Sequence, residues 1–241
     1  ATDLSIWISG QLDSAGAVSL TSGQITTATG SEVTADTGDI TLTSDETFIT
    51  LNGLVDALLG ALFLNAATEI DLGASSTLNA ALALEVIATA AVGARGSIDS
   101  KNLKVTTDGR IDLGGAVTTE SVELTSATSD LILGATLTLI GDAVLTSTVG
   151  SITTHAALTG DEVTLNTGTF IDLNAALSGD AVSLSAPGEI NIGANLTATT
   201  SASLQSETAN VDQTGGTLMG GFFDIDTVGA ATYTTDIAEL E

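Results

Sequence analysis

The sequence predicts an all-β fold, a parallel β-helix (β-solenoid) of about ten coils with roughly 19–22 residues per coil. Two stretches, GDEVTLNTGTFIDLNAAL from Gly160 and GDAVSLSAPGEINIGANL from Gly179, align without a gap at a step of 19 residues. The chain has 26 glycines and one proline, which is typical of short strands joined by tight turns. Aromatic residues make up only 3%, so small and branched aliphatic side chains must build the core.

Two series of apolar residues extend the repeat along the chain. The first is an apolar–polar–apolar pattern that turns two side chains inward on a short strand; its members are Val18/Leu20, Ile40/Leu42, Leu62/Leu64, Leu82/Leu84, Leu103/Val105, Val122/Leu124, Val144 with Thr146, Val163/Leu165 and Val182/Leu184. The second series consists of Ile25, Ile49, Ile70, a position near Ala90, Ile111, Leu131, Ile152, Ile171, Ile190 and Val211. A third strand per coil is marked by Leu158, Leu177 and Leu196.

The repeats divide the chain into three predicted segments. Residues 1–16 form an N-terminal strand that caps the first coil, residues 17–212 form the β-helix, and residues 213–241 form a C-terminal cap or assembly segment. The ranges 54–67 and 78–91 are rich in leucine and alanine, so a helix is the alternative there. Strict alternation favours strands, and residues 54–59 remain a candidate for a small helical insertion.

Three phrases carry a family resemblance: GDAVSLSAPGEINIGANL, GSEVTADTGDITLTS and GRIDLGGAVTTESVELTS. They resemble the repeat region of the filamentous-haemagglutinin-like bacterial exoproteins, over roughly residues 16–212. The resemblance implies a right-handed β-helix and a secreted or surface-exposed bacterial adhesin or biofilm matrix protein.

Charge restricts the partners. Thirty acidic residues against four basic ones give a net charge of −26, which repels nucleic acid and anionic lipid surfaces. The longest apolar stretch, residues 54–64, contains Asp56 and is too short to cross a membrane. Cations, carbohydrate and further copies of the chain remain as expected partners.

The candidate metal site is an acidic ladder. Asp142, Asp161 and Asp180 each follow a glycine at the same corner of three successive coils, and their oxygens suit Ca²⁺. The alternative is that each carboxylate caps its own turn. No other cofactor is expected.

The outward row Asp71, Asp112, Thr153, Asp172, Asn191 and Asp212 mixes acids with neutral residues and is interpreted as a stability feature.

Candidate assembly residues fall into two groups. Trp7, Phe222, Phe223 and Tyr233 lie near the predicted ends of the coil stack, where they either cap it or join subunits. The four basic residues, Arg95, Lys101, Lys104 and Arg110, lie within sixteen positions. They form either local ion pairs or a cationic patch that meets the acidic side of a neighbouring molecule.

Catalysis is not expected. His155 is the sole histidine, and the sequence shows no nucleophile or phosphate-binding motif. Thr-x-Thr pairs such as Thr41/Thr43 do not recur on consecutive coils, which argues against an ice-binding array. The sequence therefore predicts a non-enzymatic extracellular structural or adhesive protein that self-assembles end to end into fibres. The alternative is a β-helix that binds or cleaves polysaccharide.

Overall fold

The computed structural model describes residues 4–233 and 235–240, and these residues form β-strands joined by turns and bends, with no helix. The strands build a parallel β-solenoid of about 11 turns with about 20 residues per turn. The predicted fold class is therefore confirmed. Since no helix is found among the described residues, none of them forms a helical membrane span.

The chain divides into two compact units, Ala1–Glu120 and Ser121–Glu241. The strands of the first unit are β1 Ser5–Ile8, β2 Gln11–Ser14, β3 Val18–Ser22, β4 Gln24–Thr27, β5 Glu32–Ala35, β6 Ile40–Ser44, β7 Ile49–Leu51, β8 Leu54–Ala57, β9 Leu62–Ala66, β10 Glu69–Leu72, β11 Thr77–Ala88, β12 Ala91–Ala94, β13 Ser97–Thr107, β14 Arg110–Leu113 and β15 Val117–Thr118.

The second unit continues the same pattern. Its strands are β16 Ser121–Ser126, β17 Leu131–Leu133, β18 Leu137–Thr138, β19 Ala143–Ser147, β20 Ile152–Thr154, β21 Leu158–Thr159, β22 Glu162–Thr167, β23 Ile171–Leu173, β24 Leu177–Ala186, β25 Ile190–Ile192, β26 Leu196–Ser206, β27 Val211–Gln213, β28 Leu218–Thr227, β29 Ala231–Thr232 and β30 Thr235–Leu240.

Each coil contributes a strand to three faces. In the first unit, the first face is β1, β4, β7, β10, β12 and β14, the second runs from β2 through β5 and β8, and the third runs from β3 through β6 and β9. The long strands β11 and β13 serve both the second and the third face, with a bulge at the corner between them. Strands β24, β26 and β28 turn the equivalent corner of the second unit in the same way.

Aliphatic columns fill the interior of each unit. On the second face the aligned inward residues are Val33, Val55, Leu78, Ile98 and Val117 in the first unit and Leu137, Leu158, Leu177, Leu196 and Leu218 in the second. All are buried, and each stabilises its unit by roughly 1.5–3 kcal/mol relative to an exposed side chain. Because each aliphatic side chain packs against an aliphatic side chain of the next coil, the core needs few aromatic residues.

Two predicted positions in the first unit are wrong by two residues. The third-face pair of the fourth coil is Leu84/Val86, which aligns with Leu62/Leu64, whereas Leu82 is exposed. The first-face position assigned near Ala90 is occupied by Val92, which lies between Ile70 and Ile111. Both errors have one cause: the alternation of apolar residues continues through the corner at Leu82 and the turn at Ala90, where the side chains are exposed.

Two further expectations are corrected. In the second unit the inward pair of β19 is Ala143/Leu145, and Val144 points outward, because the small alanine occupies the core position. The helical insertion proposed for residues 54–59 is absent, since Leu54–Ala57 is strand β8 and pairs with β5 and β11. The preference for strands in the leucine-rich stretches is confirmed.

The first strands belong to the stack. β1 pairs in parallel with β4, and β2 pairs in parallel with β5, in the same way as later coils pair. The boundaries at residues 16 and 212 remain predictions. Strands β1 and β2, which lie before residue 16, nevertheless pair with the next coil in the same way as the strands of the repeats.

Buried hydroxyls at strand ends donate hydrogen bonds to the turns of the preceding coil. Ser44 Oγ donates to the Gly23 carbonyl at 2.6 Å, and Thr167 Oγ1 donates to the Gly150 carbonyl at 2.5 Å. Two buried hydroxyls, those of Ser100 and Thr154, have no hydrogen-bond partner among the described residues. Thr154 occupies a core position between Leu133 and Leu173, so its hydroxyl is desolvated without compensation.

Replacing Thr154 with valine is therefore expected to raise the free energy of unfolding by about 1 kcal/mol. The matched control is Thr167→Val, which deletes a buried and bonded hydroxyl and is expected to cost about 1–2 kcal/mol. Urea unfolding followed by circular dichroism measures both. Equal destabilisation by the two changes would contradict the assignment of Thr154 as an unpartnered core hydroxyl.

Candidate functional site

A shallow groove lies on the first face of the first unit, above strand β12. Its outward residues are small, since Ala91 lies between Glu69 and Arg110 in the register, and Gly93 lies between Asp71 and Asp112. These flanking side chains, with Arg95 at the end of β12, enclose a volume of about 280 Å³. The groove therefore exists because two adjacent outward positions of one coil lack long side chains.

The groove is lined by charges that already pair with one another. Arg95 Nη2 lies 3.4 Å from Asp71 Oδ1, and Arg110 Nη2 lies 2.9 Å from Asp112 Oδ2. The arginine side chains are 70% and 51% exposed, so each ion pair contributes less than about 1 kcal/mol to stability. Both guanidinium groups therefore remain able to bind a ligand that carries hydroxyls or a carboxylate.

A ligand atom has room directly above Gly93. A Cβ built at that position meets only Asp71 Oδ1 within 4 Å, at 3.8 Å. The sequence did not reveal Gly93 as the base of the groove, because the predicted first-face position of this coil was near Ala90 instead of at Val92. The interruption of the outward acidic row, Asp71–Gly93–Asp112, is the signal that would have located it.

No protein-family model matches this chain. Searches of curated proteins and of solved structures give no match either. The functional interpretation therefore depends on the surfaces of the molecule itself.

The four basic residues do not form one patch. Arg95 and Arg110 belong to the groove, whereas Lys101 lies at the corner between the second and third faces, with its Nζ 3.9 Å from a carboxylate oxygen of Glu120. Lys104 lies on the third face of β13, aligned with Glu85 of β11. The single cationic patch considered from the sequence is thus corrected, because strand β13 turns a corner between the two arginines.

The acidic ladder occupies one corner of the second unit. The Asp161 amide donates to the Gly141 carbonyl at 2.9 Å, and the Asp180 amide donates to the Asp161 carbonyl at 2.8 Å. Asp142 Oδ1 accepts the Glu162 amide at 3.3 Å, so this carboxylate contacts the backbone of the next coil rather than its own turn.

The carboxylate of Asp180, at the same corner, is also engaged. Its Oδ1 accepts the Thr199 hydroxyl at 2.5 Å. Within the described part of the chain, no group of three or more histidine, cysteine or acidic side chains is arranged to hold a metal ion. Calcium binding at Asp142, Asp161 and Asp180 stays a prediction.

The aromatic assembly candidates differ in exposure. Trp7, on β1, is 66% exposed, and Tyr233 is 37% exposed. Phe222 is partly buried on β28. Phe223 is fully buried in the column above Ala202, so its assignment to an assembly surface is corrected. A large ring there fills the space that the small alanine leaves.

His155 lies in the exposed turn after β20. Its backbone amide donates to the Leu133 carbonyl at 2.8 Å, which is the ordinary stacking contact between coils. The imidazole therefore occupies a surface turn, as expected for the sole histidine of the sequence.

Proposed function

We propose that this chain belongs to a non-enzymatic extracellular structural or adhesive β-solenoid of a bacterial surface or matrix protein, as its resemblance to the filamentous-haemagglutinin-like exoproteins implies. The observation that carries the proposal is a row of outward-facing hydroxyl side chains that repeats from coil to coil. On the second face of the second unit, the outward row is Thr138, Thr159, Ser178 and Thr197. Thr159 Oγ1 lies 3.0 Å from Ser178 Oγ, so neighbouring coils present hydroxyls at hydrogen-bond spacing.

Such rows suit adhesion to carbohydrate or to another polar polymer. Hydroxyl groups that repeat every coil provide many weak contacts, and binding at many points multiplies their effect. The acidic surplus keeps separate molecules soluble until complementary surfaces meet.

End-to-end assembly is the second part of the proposal. Among the described residues, β1 is the edge strand of the first face and pairs only with β4. An edge strand presents unpaired amides and carbonyls that a strand from a second copy can satisfy. Trp7, which is exposed on β1, then supplies apolar area to the contact.

Negative-stain electron microscopy across protein concentration, with millimolar Ca²⁺ or with a chelator, tests this assembly. Filaments are expected, and Trp7→Glu is expected to abolish them. The matched control is Val149→Glu, at another exposed apolar residue. Single particles under all conditions would contradict self-assembly, and loss of filaments on chelation would support calcium at the aspartate corner.

Polysaccharide binding or cleavage is the second candidate, favoured by the groove above Gly93. Substituting Gly93 with phenylalanine fills the groove, and open space at this position means the fold should tolerate the change. If the groove binds acidic oligosaccharides, isothermal titration will show binding lost in Gly93→Phe and retained in Gly10→Phe, a control at a glycine with no neighbouring atoms within 4 Å. Equal binding by both variants would exclude the groove as the oligosaccharide-binding site.

A further inference from the structure

Three exposed leucines of the first unit cluster at one corner, between the second and third faces. Leu58 is 48% exposed, Leu59 is 65% exposed and Leu82 is 52% exposed. They lie on consecutive coils, since Ala57 aligns with Ala80 and the Leu82 amide donates to the Gly60 carbonyl. We refer to these residues as the leucine corner. Adjacent exposed apolar side chains of this kind mark an interaction surface.

Charges of opposite sign flank the leucine corner along the stack. One coil before it, Asp36 and Asp39 lie exposed at the same corner, because Ala35 aligns with Ala57. One coil after it lies Lys101, which follows Ser100, the residue aligned with Ala80. The order along four coils is therefore acidic, apolar, apolar and basic, over about 14 Å at the usual strand spacing.

This order is self-complementary for an antiparallel pair. A two-fold axis between the coil of Leu58 and Leu59 and the coil of Leu82 places Leu58 and Leu59 of one copy against Leu82 of the other. The same axis places Lys101 of each copy against the acidic residues of the other copy. A parallel pair in the same register would instead bring acid against acid, which costs energy.

The charges at the corner remain accessible for such a pair. Lys101 is 54% exposed in its side chain, and its Nζ lies 3.9 Å from the Glu120 carboxylate, a contact that contributes little. Exchange of this partner for a carboxylate of a second copy is therefore inexpensive. We infer that the leucine corner is the centre of an antiparallel, two-fold side-by-side contact between two copies of this chain.

This contact is separate from end-to-end assembly. It uses the side of the first unit, and a two-fold interface closes after two copies, whereas contacts through edge strands extend without limit. Paired molecules without filaments would therefore support the contact while contradicting the end-to-end proposal. Filaments that remain one molecule wide would do the reverse.

Light scattering during size-exclusion chromatography tests the contact first. The native chain is expected to be a dimer that dissociates on dilution, and Leu82→Glu is expected to weaken it by at least about tenfold in Kd. Ile140→Glu, at an apolar residue of the second unit that is 80% exposed, is the matched control and should leave the dimer intact. A monomer at all concentrations, or a dimer insensitive to Leu82→Glu, would overturn the inference.

Charge reversal and cross-linking determine the orientation. Lys101→Asp should weaken the dimer, and adding Asp36→Lys to the same chain should restore it, which is expected only for an antiparallel pair. Because the chain has no cysteine, a single introduced thiol reports one position. A mixture of Leu59→Cys and Leu82→Cys chains should form a disulfide-linked heterodimer under mild oxidation, whereas a mixture of Ile140→Cys and Leu82→Cys chains should not. Failure of both the charge rescue and the cross-link would overturn the proposed geometry.

Discussion

Replacing Leu165 with alanine is expected to lower the free energy of unfolding by about 3–4 kcal/mol. Leu165 is fully buried on the third face of the second unit, where it lies between Leu145 and Leu184. The change leaves a cavity between these neighbours, and parallel strands held by hydrogen bonds on both sides have little freedom to close it. The loss is therefore expected near the upper part of the usual range for such substitutions.

The matched control for Leu165 is Val144→Ala in the adjacent strand β19. Val144 is 37% exposed and points outward, so the loss there is expected to be within about 0.5 kcal/mol. Chemical unfolding followed by circular dichroism compares the two variants. Similar losses at both positions would contradict the assignment of inward and outward residues in this unit.

Replacing Gly109 with alanine is expected to destabilise the protein by about 3 kcal/mol. A Cβ at this position would lie 1.4 Å from the Ala90 carbonyl oxygen in the turn of the preceding coil. The clash is with backbone, so it cannot be relieved by rotating a side chain. The two turns must move apart, which disturbs the pairing of β14 with β12 beside the groove.

Gly16→Ala is the control for Gly109→Ala. No atom lies within 4 Å of a Cβ built at Gly16, and its backbone does not have positive φ. Alanine at Gly16 is therefore expected to be neutral or to stabilise by up to about 1 kcal/mol through the unfolded state. Thermal unfolding measures both changes. A loss at Gly109 no larger than at Gly16 would show that the turns are not in close contact.

The fold was predictable because its signal is a period. Val163/Leu165 and Val182/Leu184 repeat at a step of 19 residues, and the structure aligns them directly. A step of one coil is visible in the sequence even when individual strands are short, since it depends on many positions at once. The choice of which residues of one coil face inward depends on few positions, so the sequence predicts it less accurately than it predicts the period.

The candidate site could not be predicted because it depends on that local register. Leu82, Leu84 and Val86 lie at alternate positions, and alternation alone does not show that the strand bulges between Ala80 and Ala83 and leaves Leu82 exposed. The choice of Leu82 hid its exposure, and with it the leucine corner. The groove was missed for a similar reason: its floor, Gly93, is defined by the absence of a side chain and becomes meaningful only when Asp71 and Asp112 are aligned with it.

The parallel pairing of each strand with the strand one coil away has a consequence for folding kinetics. Each new contact closes a segment of only about 20 residues within a chain of 241, so its loop-closure entropy is modest. All-β proteins with long-range pairings fold slowly, whereas local contacts favour rapid folding. A chain that emerges gradually, from a ribosome or a translocation pore, therefore needs only about two coils outside before the first strands pair, and later coils add to a template already formed.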